Sequence, residues 1–220
     1  MPDAGTPTAV SRGMRTLLAR RDDELAAGAR PLGWKIGFNT PAIQEHFGLT
    51  EPVVGYLTDT GLFSDGATVS LEGWAAPAVE VEVAIRVGAD HGVGGLAPAL
   101  ELVDLGVPFD DIEVVLADNI CQRGVVFGEE VLGVDPWGVA ATVTKADASG
   151  DAVVAAGRIS EDPATTTAFV RSYLATHGAE LAVGDRIIAG SMVAPVAVAP
   201  GDTLSAIFGP LGTLRISFDR

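Results

Sequence analysis

Two glutamates separated by one residue lie in a strongly apolar stretch, and this pair constrains the chain more than any other feature. Glu80 and Glu82 alternate with Val79, Val81 and Val83. Alternation predicts a β-strand, because successive side chains of a strand point to opposite faces. The valines therefore share one face and the two carboxylates share the other. Neighbouring carboxylates repel each other unless water screens them or a cation binds them.

The ordinary interpretation of this alternation is an antiparallel strand with one buried and one solvated face. Two features disfavour it: residues 74–77 before the strand are apolar, and the strand lacks the Lys and Thr side chains typical of a solvated face. Glu101, in the apolar stretch 98–103, could supply a third carboxylate, although an exposed glutamate at a helix start is the alternative. Three carboxylates would suit Mg²⁺ or Mn²⁺.

Length and composition favour a single domain over residues 1–220, with a short N-terminal helical segment over residues 1–32. Of the 220 residues, 48% are hydrophobic and 20% are charged, which is enough apolar sequence for a sizeable core. Helical spacing predicts helices over residues 8–28 and 164–176, while most other segments alternate as short strands. The expected fold class is α+β, dominated by β-structure.

The charge of the chain argues against two classes of partner. Nucleic acids and anionic membranes attract basic surfaces, so we expect neither to bind a chain with a net charge of −15. The apolar stretch 187–201 contains two prolines and is shorter than the ~20 residues that span a bilayer. A single cysteine permits no internal disulfide, and the N-terminus lacks an apolar signal core, so we expect a cytoplasmic protein.

Several common catalytic motifs are absent from the sequence. The histidines at 46, 91 and 177 do not form a His-x-x-x-His pair, and no Gly-x-Ser-x-Gly elbow occurs, which disfavours zinc proteases and serine hydrolases. Neither a P-loop nor a dinucleotide-binding glycine fingerprint is present. Taken alone, Lys35 would be interpreted as a surface lysine, Asn119 as part of a turn or cap, and Ser191 as a turn residue.

In combination, a series of short motifs resembles the 2-keto-4-pentenoate hydratase and 4-oxalocrotonate decarboxylase group of the fumarylacetoacetate hydrolase superfamily. The resemblance extends from about residue 28 to residue 218, and each motif is weak by itself. The motifs, in chain order, are Gly33-Trp34-Lys35-Ile36-Gly37, Glu80-Val81-Glu82, Pro98-Ala99-Leu100-Glu101, Ala117-Asp118-Asn119, Gly184-Asp185, Ala189-Gly190-Ser191 and Pro200-Gly201-Asp202-Thr203.

The resemblance implies a fold and a metal site. The fold would be a mixed β-roll or sandwich, of the type found in the C-terminal domain of fumarylacetoacetate hydrolases, with flanking helices. The cofactor would be Mg²⁺ or Mn²⁺. Its ligands would be Glu80, Glu82 and Glu101.

Four further residues are predicted to contribute to the site. By resemblance, Lys35 matches the lysine beside the substrate, and Asp59 falls near an acidic position of the family pocket. These two residues are the candidates for proton transfer. Ser191 lies in the family's substrate-side turn. Arg123, where the family usually has a small residue, is a candidate contact for the anionic group of the substrate.

The implied activity is that of a metal-dependent lyase acting on a small 2-oxo or 2-hydroxy acid through an enolate. Hydration of a 2-hydroxypenta-2,4-dienoate-like substrate to a 4-hydroxy-2-oxo acid is the favoured reaction. Decarboxylation of a 4-oxalocrotonate-type acid, C–C hydrolysis and a non-catalytic binding subunit are the alternatives. Residues 157–168 lack the Gly-His-Pro motif usual in the family, which leaves the reaction open. We also expect a homo-oligomer, with a partner enzyme of the same pathway as a further possibility.

Overall fold

The computed structural model describes residues 8–147 and 150–220, so residues 1–7 of the predicted N-terminal segment lie outside the described residues. Within the described residues, helices α1 to α4 span Ala9–Ala26, Pro41–Phe47, Ile112–Ala117 and Pro163–Thr176. Strands β1 to β13 span Pro31–Gly37, Val53–Thr58, Leu62–Phe63, Thr68–Ser70, Pro77–Val87, Val93–Asp104, Gln122–Phe127, Ala140–Asp147, Gly150–Arg158, Arg186–Ile188, Val196–Ala197, Thr203–Ile207 and Thr213–Asp219. The predicted α+β class is confirmed.

The first helix forms where the sequence predicts it. Thr8 caps α1, because its side chain accepts a hydrogen bond from the backbone N–H of Ser11 at 3.1 Å. Met14 and Leu17 lie on one face of the helix and are buried. The helix packs on α3 and on β2, so it covers one side of the sheet that carries the glutamates. None of the described helices is both long and apolar enough to span a membrane.

The strands form two sheets. The larger sheet has the order β2-β1-β10-β5-β6-β7-β3, with β11 paired to β5, and the smaller sheet has the order β4-β13-β12-β8-β9. Strands β2 and β3 stand at opposite ends of the larger sheet, yet only the short turn Asp59–Gly61 joins them. Because so few residues connect its two ends, the larger sheet must curl into a roll.

Both faces of β5 are covered. Its valine face belongs to the main core, which also contains residues of the smaller sheet such as Leu204, Leu214 and Ile216. Its other face lies inside the roll beside a second cluster of buried apolar residues. This cluster consists of Leu57, Ala84, Ala97, Ala99, Val125 and Ile188. The interpretation of the glutamate face as a solvated surface is therefore wrong.

Asp104, at the end of β6, accepts hydrogen bonds that fix the segment leading into β5. Its carboxylate accepts hydrogen bonds from the backbone N–H groups of Ala75 at 3.1 Å, Ala76 at 2.7 Å and Gly106 at 3.1 Å. Burial alone would raise the pKa of Asp104, but these three donors outweigh burial and hold the pKa below its usual value. The ionised carboxylate therefore stabilises the segment that leads into the glutamate strand.

We expect Asp104→Asn to lower the free energy of unfolding by about 1–3 kcal/mol at pH 7, because a neutral amide accepts these bonds less strongly than a carboxylate and its NH₂ group cannot replace Oδ2 as an acceptor for Ala75. A carboxyl group whose pKa is lower in the folded state stabilises the fold above its unfolded pKa of about 4. That stabilisation is lost as the pH falls through the lower folded pKa. The difference between wild type and variant should therefore shrink in acid.

Urea unfolding at pH 7 and in the acid range measures this difference. Asp110→Asn serves as the control, since Asp110 lies on the loop that follows β6 and is exposed. Equal stability of wild type and Asp104→Asn at pH 7 would contradict the prediction.

Candidate active site

Three carboxylates meet inside the roll. The register of β5 and β6 places Glu80 directly opposite Glu101, and Glu82 lies two residues along β5 on the same face. Carboxylate oxygens of the three residues lie within 4.8 Å of one another. Glu82 and Glu101 are fully buried and Glu80 is partly buried. The antiparallel pairing of two strands therefore builds the cluster.

Two oxygens of this cluster have no hydrogen-bond partner within the described part of the chain. Glu82 accepts a hydrogen bond from the backbone N–H of Gly190 at 2.8 Å through Oε2, and Glu101 accepts one from Lys35 through Oε1. Oε1 of Glu82 and Oε2 of Glu101 are buried and unpartnered. Buried acceptors without a partner are costly, whereas a hard divalent cation binds carboxylate oxygens. The donor set therefore fits Mg²⁺ or Mn²⁺.

Burial and mutual repulsion set the charges of the glutamates. Burial raises the pKa of Glu82 well above its usual value, and the carboxylates of Glu101 and Glu80 raise it further. Burial likewise raises the pKa of Glu101 to about 7, although Lys35 acts in the opposite direction. A bound cation would oppose both shifts, because positive charge favours the ionised carboxylate.

Lys35 is a buried lysine, so its interpretation as a surface residue is wrong. It lies on β1, where it pairs with Gly55 on β2 and Ile188 on β10. Its Nζ donates to Glu101 and, at 3.0 Å, to the carbonyl of Ile120. Burial lowers the pKa of Lys35, but the surrounding carboxylates outweigh burial and raise it above its usual value. The lysine therefore remains charged.

The carbonyl that accepts from Lys35 belongs to a strained segment. Asn119, Ile120 and Cys121 have φ angles of 56°, 54° and 63°, which is the left-handed region that a β-branched residue rarely adopts. The Asn119 side chain holds this segment to β2, since it accepts from the N–H of Tyr56 and donates to its carbonyl, both at 2.9 Å. Sequence reasoning missed this role, although asparagine tolerates left-handed backbone better than most residues.

Gly55 is required where β2 passes this segment. A Cβ atom at Gly55 would lie 2.7 Å from Oδ1 of Asn119 and 2.9 Å from Cγ of Lys35. Both distances are too short for real carbon contacts, and both neighbours are buried. A side chain at this position would therefore displace the lysine or the asparagine.

A cavity of about 510 Å³ opens beside the cluster. Lys35 and Glu80 line it together with residues of the loop between β10 and β11. Ser191 is one of these loop residues, and its hydroxyl accepts a hydrogen bond from the N–H of Val81 at 3.2 Å. Ser191 thus ties the loop to the glutamate strand, and its predicted contact with the substrate stays a prediction.

The structure does not bring Asp59 or Arg123 to the cavity lining. Asp59 lies in the turn after β2, where Arg30 binds it through the backbone N–H at 2.7 Å and through Nε at 2.8 Å. Arg123 pairs with Asp118 at 2.9 Å. Each of the two predicted site residues is thus engaged elsewhere, and the geometry gives no support to their predicted roles.

The chain is similar in sequence to known hydratases and decarboxylases. No protein-family model matches the chain. The chain is 27% identical over 219 residues to 2-oxo-hept-4-ene-1,7-dioate hydratase of Escherichia coli. This alignment covers 89% of the chain and 81% of the relative. It is 26% identical over 218 residues to 4-oxalocrotonate decarboxylase of Pseudomonas putida. This alignment covers 91% of the chain and 81% of the relative.

By sequence, the chain is similar to named members of the 2-keto-4-pentenoate hydratase and 4-oxalocrotonate decarboxylase group. The resemblance predicted from the sequence motifs is thereby confirmed. A solved structure agrees in fold: 4-oxalocrotonate decarboxylase from Pseudomonas putida G7, complexed with magnesium and adipate, matches with a TM-score of 0.85 at 23% identity. The match covers 95% of this chain and 86% of that one. The chain thus has the fold of this solved decarboxylase, and the fold predicted from the resemblance is confirmed.

We expect the protein to bind Mg²⁺ and Mn²⁺, and Glu82→Gln to weaken this binding about tenfold or more. The amide removes one negative charge and an oxygen donor from the cluster. Isothermal titration of each metal into chelator-treated protein measures the affinity, and a repeat with oxalate tests whether an oxygen-rich anion joins the same site.

Glu72→Gln is the matched control, because Glu72 is an exposed glutamate just before the same strand. It should bind the metals as wild type does. Equal affinity of Glu82→Gln and wild type would show that the cluster does not hold the cation.

Proposed function

We propose that this protein is a divalent-metal-dependent lyase that hydrates a small 2-hydroxy-dienoate to a 4-hydroxy-2-oxo acid. One observation carries the proposal: a buried three-carboxylate cluster with two unpartnered oxygens lies beside a charged lysine at the edge of a cavity. The relatives support the class of reaction, since two that are 27% and 26% identical to the chain are named as a hydratase and a decarboxylase.

The side chains of the site divide the work between them. Glu80, Glu82 and Glu101 would hold the cation, which supplies positive charge for the enolate that develops from a 2-oxo acid. Lys35 has three N–H donors, and Glu101 and the Ile120 carbonyl occupy two of them. The third is free to face the substrate, either as a contact for its carboxylate or as a proton donor.

The proposed reaction has two steps. A proton adds at C5 of 2-hydroxypenta-2,4-dienoate while the 2-hydroxyl proton leaves, which gives 2-oxopent-3-enoate. Water then adds across the new double bond, with oxygen at C4 and a proton at C3, which gives 4-hydroxy-2-oxopentanoate. Lys35 Nζ is the group of the cavity lining that we assign to proton transfer.

Decarboxylation is the second candidate, because one of the relatives is a 4-oxalocrotonate decarboxylase. C–C hydrolysis is less well supported, since family hydrolases use a His/Glu pair and no histidine occurs among the described residues that line the cavity. His46 instead contacts the carbonyl of Phe109 through Nε2 at 2.9 Å. A non-catalytic binding subunit is also disfavoured, because buried carboxylates without a cation only destabilise the fold.

We further propose a cytoplasmic homo-oligomer. The single cysteine supports a reducing compartment. Exposed valines on the edge strand β9, Val153 and Val154, support self-association, because an unpaired apolar edge is prone to pair with another chain. A partner enzyme of the same pathway would consume the hydroxy-oxo acid product.

With Mg²⁺ present, we expect the protein to consume 2-hydroxypenta-2,4-dienoate and EDTA to abolish turnover. Glu80→Gln should lower kcat/KM at least about a hundredfold, because it removes a metal ligand that faces the cavity. Loss of dienoate absorbance measures the rate, and product analysis distinguishes hydration from release of CO₂. Glu72→Gln should turn over as wild type does, and full activity of Glu80→Gln would refute the assignment.

Lys35→Met should separate catalysis from metal binding. We expect kcat to fall about 10²- to 10⁴-fold, because the variant cannot transfer a proton. Metal affinity should be kept or increased, because Lys35 Nζ no longer competes for Glu101. Rates and titrations measured in parallel test both statements. Lys145→Met, which changes a lysine paired with Asp202 in the other sheet, is the control, and unchanged kcat in Lys35→Met would contradict the assigned role.

A further inference from the structure

The cavity leads from the buried charges to solvent along strand β6. Glu101 and Val103 lie on the same face of this strand, two residues apart, and Leu105 follows two residues later. Their exposed fractions rise from 0% at Glu101 and 1% at Val103 to 38% at Leu105. Val103 and Leu105 both line the cavity. A substrate whose carboxylate end lies at the cluster therefore directs its other end toward Leu105.

The outer part of this cavity is apolar. Phe109 packs against Phe38 and Phe47 with ring centroids 5.4 and 5.5 Å apart, and Phe38 stacks on Phe47 at 5.0 Å. These rings support one wall. The apolar residues that α2, the loop after β6 and the loop between β10 and β11 contribute to the cavity lining include Ile43, Leu105, Phe109, Val193, Ala194 and Pro195.

Positive charge is scarce around the cavity. Lys35 is the one Lys or Arg among the described residues that line it, and it is already paired with Glu101. Asn39 and Thr40, which also line the cavity, are polar but neutral. A second carboxylate on the outer end of a substrate would lie against this apolar wall with no cation to pair with it, in a protein with a net charge of −15. Loss of part of its hydration against the wall and repulsion by the net negative charge both disfavour its binding.

We propose that this site selects 2-oxo and 2-hydroxy acids with a short uncharged tail and discriminates against dicarboxylates. This inference rests on the proposed function, because it takes the carboxylate and the C2 oxygen of the substrate to lie at the glutamate cluster. The Escherichia coli relative is named for a 1,7-dioate, so the proposed preference separates this chain from that relative. Leu105 is the residue whose replacement should change the preference most directly.

Binding of two matched probes tests the proposal without turnover. 2-Oxohexanoate and 2-oxohexanedioate have the same length and differ in the terminal group, a methyl in one and a carboxylate in the other. In titrations with Mg²⁺ present, we expect 2-oxohexanoate to bind about tenfold more tightly or better. Turnover of 2-hydroxyhexa-2,4-dienoate and of 2-hydroxyhexa-2,4-dienedioate should show the same order in kcat/KM.

Leu105→Arg places a cation at the outer end of the cavity and should remove most of the preference, with 2-oxohexanedioate bound about tenfold more tightly than by wild type. Leu132→Arg is the matched control, because Leu132 is 67% exposed and does not line the cavity. It should keep the preference of wild type. Circular dichroism establishes that both variants are folded.

The outcomes distinguish this inference from the proposed function. Equal or tighter binding of 2-oxohexanedioate by wild type, or release of CO₂ from the dienedioate at a comparable rate, overturns the inference and leaves the metal-dependent lyase intact. A Leu105→Arg variant that gains no affinity for the dicarboxylate also overturns it. Failure of both probes to bind with Mg²⁺ present overturns the proposed function and the inference with it.

Discussion

The rest of the site depends on the buried ion pair between Lys35 and Glu101, together with the two further glutamates that surround it. Charged groups inside a protein lose their hydration, and the attraction within a buried ion pair seldom compensates fully for that loss. Three carboxylates face a single lysine here, so burial and mutual repulsion raise the pKa of Glu82 and of Glu101, and ionisation of all three would leave excess negative charge. This unfavourable arrangement is the physical ground for the proposed cation, because positive charge would favour the ionised carboxylates.

The backbone around this ion pair adopts an unusual conformation that supplies a hydrogen-bond acceptor to Lys35. Lys35 needs a second acceptor at Nζ, and the Ile120 carbonyl supplies it only because residues 119–121 adopt left-handed backbone. That conformation costs about 1–2 kcal/mol per non-glycine residue, and the paired hydrogen bonds of Asn119 with Tyr56 offset part of the cost. The close approach in turn leaves no room for a side chain at Gly55. The position of one lysine thus constrains residues on three separate segments.

The sequence predicted the parts of the site that depend on local periodicity. The alternation around Glu80 and Glu82 determined which face they share, and the apolar surroundings argued against a solvated face. The pairing of Glu80 with Glu101 depends on the register of a long hairpin, which no local pattern determines, so Glu101 needed the family resemblance. Asp59 was placed by the family resemblance, and Arg123 by its position after the Asp118-Asn119 motif. Asp59 pairs instead with Arg30, 29 residues earlier, and Arg123 pairs with Asp118 at the end of α3. Neither pairing follows from a local periodic pattern.

The charged residues of the site lie on strands, whereas the residues proposed to select the substrate tail lie on connecting segments. Strands β1, β5 and β6 carry the lysine and the glutamates, where ladder hydrogen bonds hold them in register. The outer wall comes from α2, from the loop after β6 and from the loop between β10 and β11, which are connecting segments that tolerate substitution. A change in α2 or in the loop after β6 can alter which tail is accepted without moving a carboxylate of the cluster. The loop between β10 and β11 differs in this respect, because its Gly190 N–H donates to Glu82. Proteins that share the charged end can therefore differ in substrate through the first two segments alone.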